Sequence, residues 1–484
     1  MSTSDTSRSA EDAVRALLEA GQLSEAGRRV RQILQEDRTQ GQNWVLLGDV
    51  LRRQGKPADA WRAYERGWIL DPQADWVADI QKLLGGQTGG PVTPWLEQLL
   101  EVPDVSITAA IIARNEEASI ATTVARVAPA VDEVLVVDTG SEDRTVEEAG
   151  RAGARVVTFP WADDFSAARN FGLAQVRSDW VLWVDADEWL YPEDVEVPRW
   201  VAGLFQGSGP VVLRIVVMNK VGPALIPFFG GSRMFPTAYG LRWWGLIHEQ
   251  VGPPEGGPFA RTYPRPPVRI RVHHEGYDVP VMEQKQKLAR NVRLLRRQLE
   301  QRPDDITAMG LLGRELMMSG DMGAAIAVLR RAEALAPQFP SYGGLSDIRK
   351  NLTEALLLQN QWSEALEVSR RLVTDDSGFP LAWYVKGKAE LALAAVLLGE
   401  AQKDFAQCRT AWSAYRGIAI LDDAVRDRHS VLGWADALAM SGDWTNAVEL
   451  YRRVQQQDPS NQMLRDRLTT MKAHADRLAA MNMT

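Results

Sequence analysis

The chain has 484 residues, too many for one ordinary hydrophobic core, so two or three domains are expected. Apolar residues make up 45% and charged residues 24% of it, the balance of a globular chain and not of a disordered or fibrous one. A net charge of -8 with both signs interspersed offers no cationic field to a nucleic-acid backbone, and a single cysteine, Cys408, excludes a disulfide framework or a multi-cysteine zinc site. The polar first dozen residues and the lack of any run of about 18 apolar residues predict no signal peptide, no transmembrane segment and a cytoplasmic location.

Residues 11–84 have helical periodicity and repeat internally, with Gly21 and Ala26 recurring as Gly55 and Ala60. Trp44, Leu47, Gly48, Leu51, Ala60, Tyr64, Gly67 and Pro72 fall on the signature positions of a tetratricopeptide repeat. Small residues at Gly48 and Ala60 let two helices approach closely, and Pro72 ends the second by removing a donor. The glycine-rich stretch 85–91 cannot continue a helix, which predicts a first domain over 1–88 and a linker over 89–104.

From residue 107 the period changes. Strands are predicted at 107–112, 134–137, 156–158 and 180–184, alternating with helices at 118–127, 145–152 and 165–176, an order that implies right-handed crossovers and a mostly parallel sheet. A further strand is predicted at 211–217, then a long loop marked by Pro223, Pro227, Gly230 and Gly231, and a mobile segment over 252–267. This α/β domain covers 105–285. Residues 286–484 read as all-α, with Leu312, Gly313, Leu316, Ala325, Leu329, Ala332 and Pro337, and again Trp434, Ala435, Leu438, Ala447, Tyr451 and Pro459, at repeat positions. A weaker unit is marked by Leu352, Leu356 and Ala365, another by Trp383 and Gly387, and a helix from about Asn461 would cap the array.

The strand at 180–184 delivers Asp185 and Asp187 to the carboxyl edge of the sheet, where α/β folds place ligands. Two carboxylates flanking one small residue suit Mg2+ or Mn2+, which can bridge diphosphate oxygens; a solvated loop is the plain alternative. Asn115 and Glu116 follow the first strand, and Asp138, Thr139 and Ser141 follow the second. Helix capping accounts for Thr139 and Ser141, whereas a carboxylate at Asp138 is placed to accept from a base or ribose. Arg169 suits a phosphate or base, against an intradomain salt bridge.

Four segments, Ala113-Arg114-Asn115-Glu116-Glu117, 137–145, 165–170 and Asp185-Ala186-Asp187, occur in the order found in family 2 glycosyltransferases, and the chain resembles that family. The likeness continues through Arg233-Met234-Phe235, residues 245–249, His274-Glu275-Gly276-Tyr277 and residues 287–291 into helical repeats, an arrangement similar to the peptide S-glycosyltransferase subgroup that includes the sublancin enzyme. It implies a GT-A fold flanked by tetratricopeptide repeats, a nucleotide-diphosphate sugar donor, a metal and inversion at the anomeric carbon. On individual residues it implies that Asp138 holds the uracil or ribose, Arg169 the base or diphosphate, Asp185 the ribose and metal, and Asp187 the metal. Asn115 and Glu116 would line the nucleoside pocket, and Glu249 would be the general base. His274 matches a late metal ligand in related folds, with a structural donor as the alternative. Lys287 and Arg290, one helical turn apart, could meet the diphosphate together or form an exposed basic face. Of the adjacent pair Trp243 and Trp244, one is expected to turn toward solvent or a sugar, while Trp183 is expected in the core.

The expected function is therefore metal-dependent inverting transfer from a nucleotide-sugar donor, a UDP-sugar, to a hydroxyl or thiol on a protein or peptide acceptor presented by the repeats. The repeats also point to a homodimer paired through its ends. The competing readings are a transferase acting on a cell-envelope glycan or lipid, and a repeat scaffold with an inactive α/β domain. A nucleotidylyltransferase would need a glycine-rich phosphate loop after the first strand, where this chain has Ala113-Arg114-Asn115-Glu116.

Overall fold

A computed structural model describes residues 3–86, 89–258, 263–274, 281–340, 342–414 and 424–481. They form two compact units, residues 1–311 with 338–342 and residues 312–337 with 343–484.

The first unit begins with helices α1 (Thr3–Glu19), α2 (Leu23–Glu36), α3 (Gly41–Arg53), α4 (Pro57–Leu70) and α5 (Val77–Leu83). The small residues explain the close pairing of α3 and α4: a Cβ on Gly48 would lie 2.7 Å from the Tyr64 ring, whose hydroxyl donates to Asp49 at 2.7 Å. Helix α6 (Pro94–Leu100) follows, inside the stretch expected to be a linker. Asp59 of α4 accepts from the backbone N–H of Thr93 at 2.9 Å, and Arg66 Nη2 donates to Leu100 O at 3.1 Å. One buried apolar core then runs from Val14 through the repeats to Val272 of the sheet, so the repeats and the α/β domain share a core across the predicted boundary.

The α/β part runs β1 (Ile107–Ala113), α7 (Ile120–Val127), β2 (Glu133–Asp138), α8 (Thr145–Arg151), β3 (Arg155–Thr158), α9 (Phe165–Leu173), β4 (Trp180–Asp185), β5 (Glu188–Leu190), α10 (Val197–Phe205), β6 (Leu213–Val221), β7 (Ala224–Pro236), β8 (Arg242–Trp244), β9 (Gln250–Gly252), β10 (Pro267–His274) and α11 (Val281–Gln301). The strand order in the eight-stranded sheet is β3-β2-β1-β4-β7-β6-β10-β5, and β8 pairs with β9 separately. The predicted parallel sheet holds for β3, β2, β1 and β4, whose register aligns Ala113 with Asp138 and Ile112 with Asp185. Beyond β4 the sheet is mixed, because β7 runs antiparallel to both β4 and β6.

Two expectations are corrected here. The loop expected at 223–231 is most of β7, which pairs with β6 from Val221↔Ala224 to Leu213↔Met234, with register shifts at two points. The segment expected to be mobile over 252–267 contains the end of β9 and the start of β10, while residues 259–262 lie outside the described residues.

The second unit continues from α12 (Ile306–Ser319) through α13 (Met322–Leu335), α14 (Leu345–Leu358), α15 (Trp362–Asp375), α16 (Pro380–Ala414), α17 (Ser430–Met440), α18 (Trp444–Gln457) and α19 (Gln462–Met481). Repeat chemistry recurs: a Cβ on Gly313 would overlap Leu329, and the Tyr451 hydroxyl donates to Asp436 as Tyr64 does to Asp49. The positions Trp383 and Gly387 fall in α16, whose 35 residues exceed an ordinary repeat helix. Among the described residues no helix is long and apolar enough to cross a membrane.

Candidate active site

The parallel strands end together, and their last residues and following turns build one acidic edge. Asn115, with a left-handed φ of +58°, ties the first two turns: its backbone N–H donates to Ser141 Oγ at 2.9 Å, and its Oδ1 accepts from Glu142 N at 2.8 Å. Asn is one of the few side chains that tolerates this conformation and can bond locally in it. Glu116 donates its N–H to Thr145 Oγ1 at 2.7 Å, and its carboxylate accepts from Ser119 Oγ at 2.9 Å. Burial raises its pKa, with Asp187 adding repulsion and Lys287 opposing it. The buried Asp138 carboxylate accepts from the N–H groups of Gly140 and Ser141, so it shapes its own turn. Thr139 and Ser141, expected to cap a helix, instead tie the two turns together: Thr139 Oγ1 donates to Ala113 O, and Ser141 Oγ accepts from Asn115 N.

Asp185 closes β4 and is held by two arginines. Arg233 of β7 donates from Nη1 to Oδ1 at 2.7 Å and from Nη2 to Oδ2 at 2.5 Å, and Arg169 Nη2 donates to Oδ1 at 3.0 Å. Burial would push the Asp185 carboxyl up, but the guanidinium groups of Arg233 and Arg169 outweigh it and hold it far below the usual carboxylate range. Glu188, 2% exposed, accepts from Asp185 N at 3.0 Å, and burial pushes its pKa up to about 7.

Helix α9 explains why residues 165–170 form a unit. Asp164 caps it by accepting from Ala167 N, and Ser166, Arg169 and Asn170, at helical spacing on one face, grip the segment after β7. Ser166 Oγ donates to Gly245 O, the Asn170 amide exchanges two 2.9 Å bonds with the backbone of Trp243, and Arg169 Nε donates to Glu249 Oε1 at 2.5 Å. Glu249 follows His248, another non-glycine residue in the left-handed region, at φ +50°. Arg169 therefore links Glu249 to Asp185. Its guanidinium carbon lies 5.0 Å and 4.7 Å from the ring centroids of Trp183 and Trp243, and Nη1, which has no hydrogen-bond partner among the described residues, belongs to a cation placed between aromatic rings.

Trp183 is in the core as expected. Trp243 is buried against Arg169, while the half-buried Trp244 donates to Pro253 O at 2.8 Å and lines a cavity of about 250 Å³ with Trp243, Arg242 and Arg302.

The expected three-ligand metal set is only partly assembled. Asp187 Oδ2 lies 3.3 Å from His274 Nε2, and Asn219 Oδ1 lies 3.0 Å from His274 Nδ1, which orients the imidazole. The Asp187 contact raises the His274 pKa against the effect of burial. Asp185 is bonded by Arg169 and Arg233, and among the described residues no three His, Cys, Asp or Glu groups gather as a metal cluster. The Asp187–His274 pair fits a divalent cation that keeps waters or takes oxygens from a diphosphate, since an oxygen and an imidazole nitrogen are both ligands that Mn2+ accepts. On α11, Lys287 is near enough to Glu116 to act on its charge, and the Arg290 guanidinium lies 5.6 Å from the Phe165 ring centroid. Residues 275–277 of the expected motif lie outside the described residues.

Arg233 and Asn219 were not singled out by sequence reasoning as site residues. The signal for Arg233 was a charged residue beside Met234 and Phe235, both fully buried.

Comparison with known proteins agrees with this architecture. Residues 108–198 match the family model for glycosyl transferase family 2, and residues 11–75 match one for a tetratricopeptide repeat. A TPR repeat-containing protein of Synechococcus elongatus is 33% identical over 222 residues, covering 44% of this chain and 53% of that protein. The SPbeta prophage-derived glycosyltransferase SunS of Bacillus subtilis is 24% identical over 271 residues, covering 53% of this chain and 60% of that protein. The chain thus spans between half and two thirds of the length of these relatives. The structure of glucosyl-3-phosphoglycerate synthase from Mycobacterium tuberculosis, in complex with Mg2+ and uridine diphosphate, is 31% identical over 23% of this chain and 44% of that one, at a TM-score of 0.21.

Proposed function

We propose that this chain, which carries a glycosyltransferase family 2 domain flanked by tetratricopeptide repeats, is a metal-dependent inverting glycosyltransferase. It moves a sugar from a nucleotide-diphosphate donor, a UDP-sugar, to a hydroxyl or thiol on a protein or peptide. The observation that carries this reading is the chain of contacts at one sheet edge, from Glu249 through Arg169 to Asp185, two residues from the Asp187–His274 pair.

Asn115, Glu116 and Asp138 form the nucleoside side of the edge, and Lys287 and Arg290 the diphosphate side. A divalent cation held by Asp187 and His274 would neutralise charge developing on the departing diphosphate. Glu249 takes the acceptor proton as the acceptor oxygen or sulfur bonds to the anomeric carbon, and the electrons of the broken bond leave with the diphosphate. Arg169 holds one Glu249 oxygen, which fixes the carboxylate and couples its position to Asp185. Glu188 is a poorer base despite its raised pKa, because it is buried and bonded beneath the Asp185 turn.

Two substitutions test this reading. Asp187→Ala should abolish transfer and remove metal-dependent nucleotide binding, whereas Glu249→Gln should cut turnover at least 100-fold and leave nucleotide affinity within about twofold, measured by product assay and calorimetry. Near wild-type turnover in Glu249→Gln would remove it as the base. A thermal-shift screen against UDP-, GDP-, CMP- and dTDP-sugars, with and without Mn2+, identifies the donor, because a ligand that binds the native state raises the melting temperature.

A further inference from the structure

The β6–β7 hairpin ends in a stretch the transfer chemistry does not use. Residues 221–228, Val-Gly-Pro-Ala-Leu-Ile-Pro-Phe, are all exposed and contain no ionisable or hydrogen-bonding side chain. Val221, Leu225, Ile226 and Phe228 are 40%, 47%, 51% and 54% exposed. Leu225 and Ile226 are consecutive and therefore point to opposite faces, so both faces of the hairpin are apolar. An uncharged two-faced ridge of this kind is unusual on a protein surface without a partner.

Its position says what the partner does. Strand β7 pairs with β4 through residues 234–236 alone, with Leu182 opposite Met234, which brings the end of β4 level with about Gly231. At ~3.3 Å per residue, residues 223–231 carry the hairpin roughly 25 Å past the carboxyl edge. The same two strands hold the site: Arg233 of β7 binds Asp185, and Asn219 of β6 contacts His274. Anything seated along the hairpin is led to Asp185 and Asp187. Among the described residues no strand pairs with the β4-facing edge of β7 between Ala224 and Gly230, beyond the end of β4, so that edge presents main-chain N–H and C=O groups.

These features select one class of occupant. A bilayer would strand the open-edge backbone groups in hydrocarbon, and an anionic surface would repel a chain of net charge -8. An extended polypeptide satisfies the edge by adding a strand and packs its own apolar side chains against Leu225, Ile226 and Phe228. We infer that the β6–β7 hairpin is the acceptor-docking element, holding an uncharged, extended stretch of the acceptor polypeptide as an added strand beside β7. This inference rests on the transferase reading above and narrows its acceptor to a segment able to become a β-strand.

The test uses the full chain and a fluorescein-labelled probe, acetyl-Lys-Val-Ser-Val-Thr-Val-Lys-amide, with binding read by anisotropy. The combined variant Leu225→Ser, Ile226→Ser, Phe228→Ser replaces exposed side chains and should keep its UDP-and-Mn2+ thermal shift. It should bind the probe at least tenfold more weakly, and N-methylation of alternate probe amides should weaken binding to the unaltered protein at least as much. Equal binding by variant and unaltered protein, or no binding by either, overturns the docking inference while leaving the transferase reading intact. Absence of any metal-dependent nucleotide shift in the unaltered protein overturns the transferase reading itself. If the substitutions instead abolish cosedimentation with phosphatidylcholine–phosphatidylglycerol vesicles, or a dimer seen by sedimentation equilibrium, while probe binding is unchanged, the ridge belongs to a bilayer or to a second copy and the inference fails.

Discussion

Arg233 reaches both oxygens of Asp185 with its two terminal nitrogens, and no other residue type can make that pair of bonds from one side chain. Removing it leaves a half-exposed carboxylate with Arg169 as its remaining guanidinium, so solvent offsets part of the loss of a charge-assisted pair. Arg233→Ala is expected to lower unfolding stability by about 1–2 kcal/mol in urea titrations and to weaken nucleotide binding. Asp185→Ala should add little to that variant, because both substitutions disrupt one pair. Equal, additive losses would show that the pair is not coupled. At this scale the strand pattern placed Asp185 at the end of β4. Asp185 and Glu249 stood at a strand end and in a recognisable segment, and Arg169 bridges them, while Asp187 meets His274 instead. Asn219, and the pairing of Arg233 with Asp185, were illegible because a contact between strands distant in sequence leaves no local pattern. The expected metal set of two carboxylates and one imidazole is gathered only in part, as Asp187 with His274, because Asp185 bonds Arg169 and Arg233.

Helices were the most legible elements, since tetratricopeptide spacing combines a 3.6-residue period with small residues at the crossing. Gly48 shows why the pattern is obligatory: its missing Cβ makes room for Tyr64, and Tyr64 cannot retreat without losing its bond to Asp49. Gly48→Ala should destabilise the first unit by about 2 kcal/mol, in the range for overpacking, and Tyr64→Leu in the same chain should recover part of that loss in thermal unfolding. Strand β7 was the element least legible. Pro227, Gly230 and Gly231 read as breakers, yet proline is tolerated on a strand edge that has no second neighbour, and the two register shifts against β6 absorb the irregularity. A Gly- and Pro-rich stretch that is nonetheless a strand is a sign of an unpaired edge, the edge beside which an acceptor strand would add.

At the scale of the whole chain, the composition of residues 85–91 suggested a boundary, but the buried core continues through it, with Arg269 lying 3.9 Å over the Trp68 ring to join β10 to α4. Local glycine content reports chain freedom and says nothing about which side chains meet later. The two compact units are instead divided near Leu311, inside a helix, where periodicity gives no warning. The second unit carries its own acid sensitivity. Glu333 of α13 accepts from Arg349 at 2.8 Å and from Arg371 at 3.0 Å, tying α13 to α14 and α15. Burial would raise its pKa, and the hydrogen bonds from Arg371 and Arg349 outweigh it, so the folded-state value lies below the ordinary value of 4.5. A depressed carboxyl pKa stabilises the folded state above the unfolded value, and that contribution disappears as pH falls through the lower folded value. Stability from this triad is therefore complete at neutral pH and is lost progressively below pH 4.5. In Glu333→Gln the contribution is absent at every pH, so its melting temperature should lie below that of the unaltered chain at pH 7 and converge with it in acid. Two curves separated by a constant amount from pH 7 down to pH 3 would mean that Glu333 stabilises the repeats by packing and not through its charge.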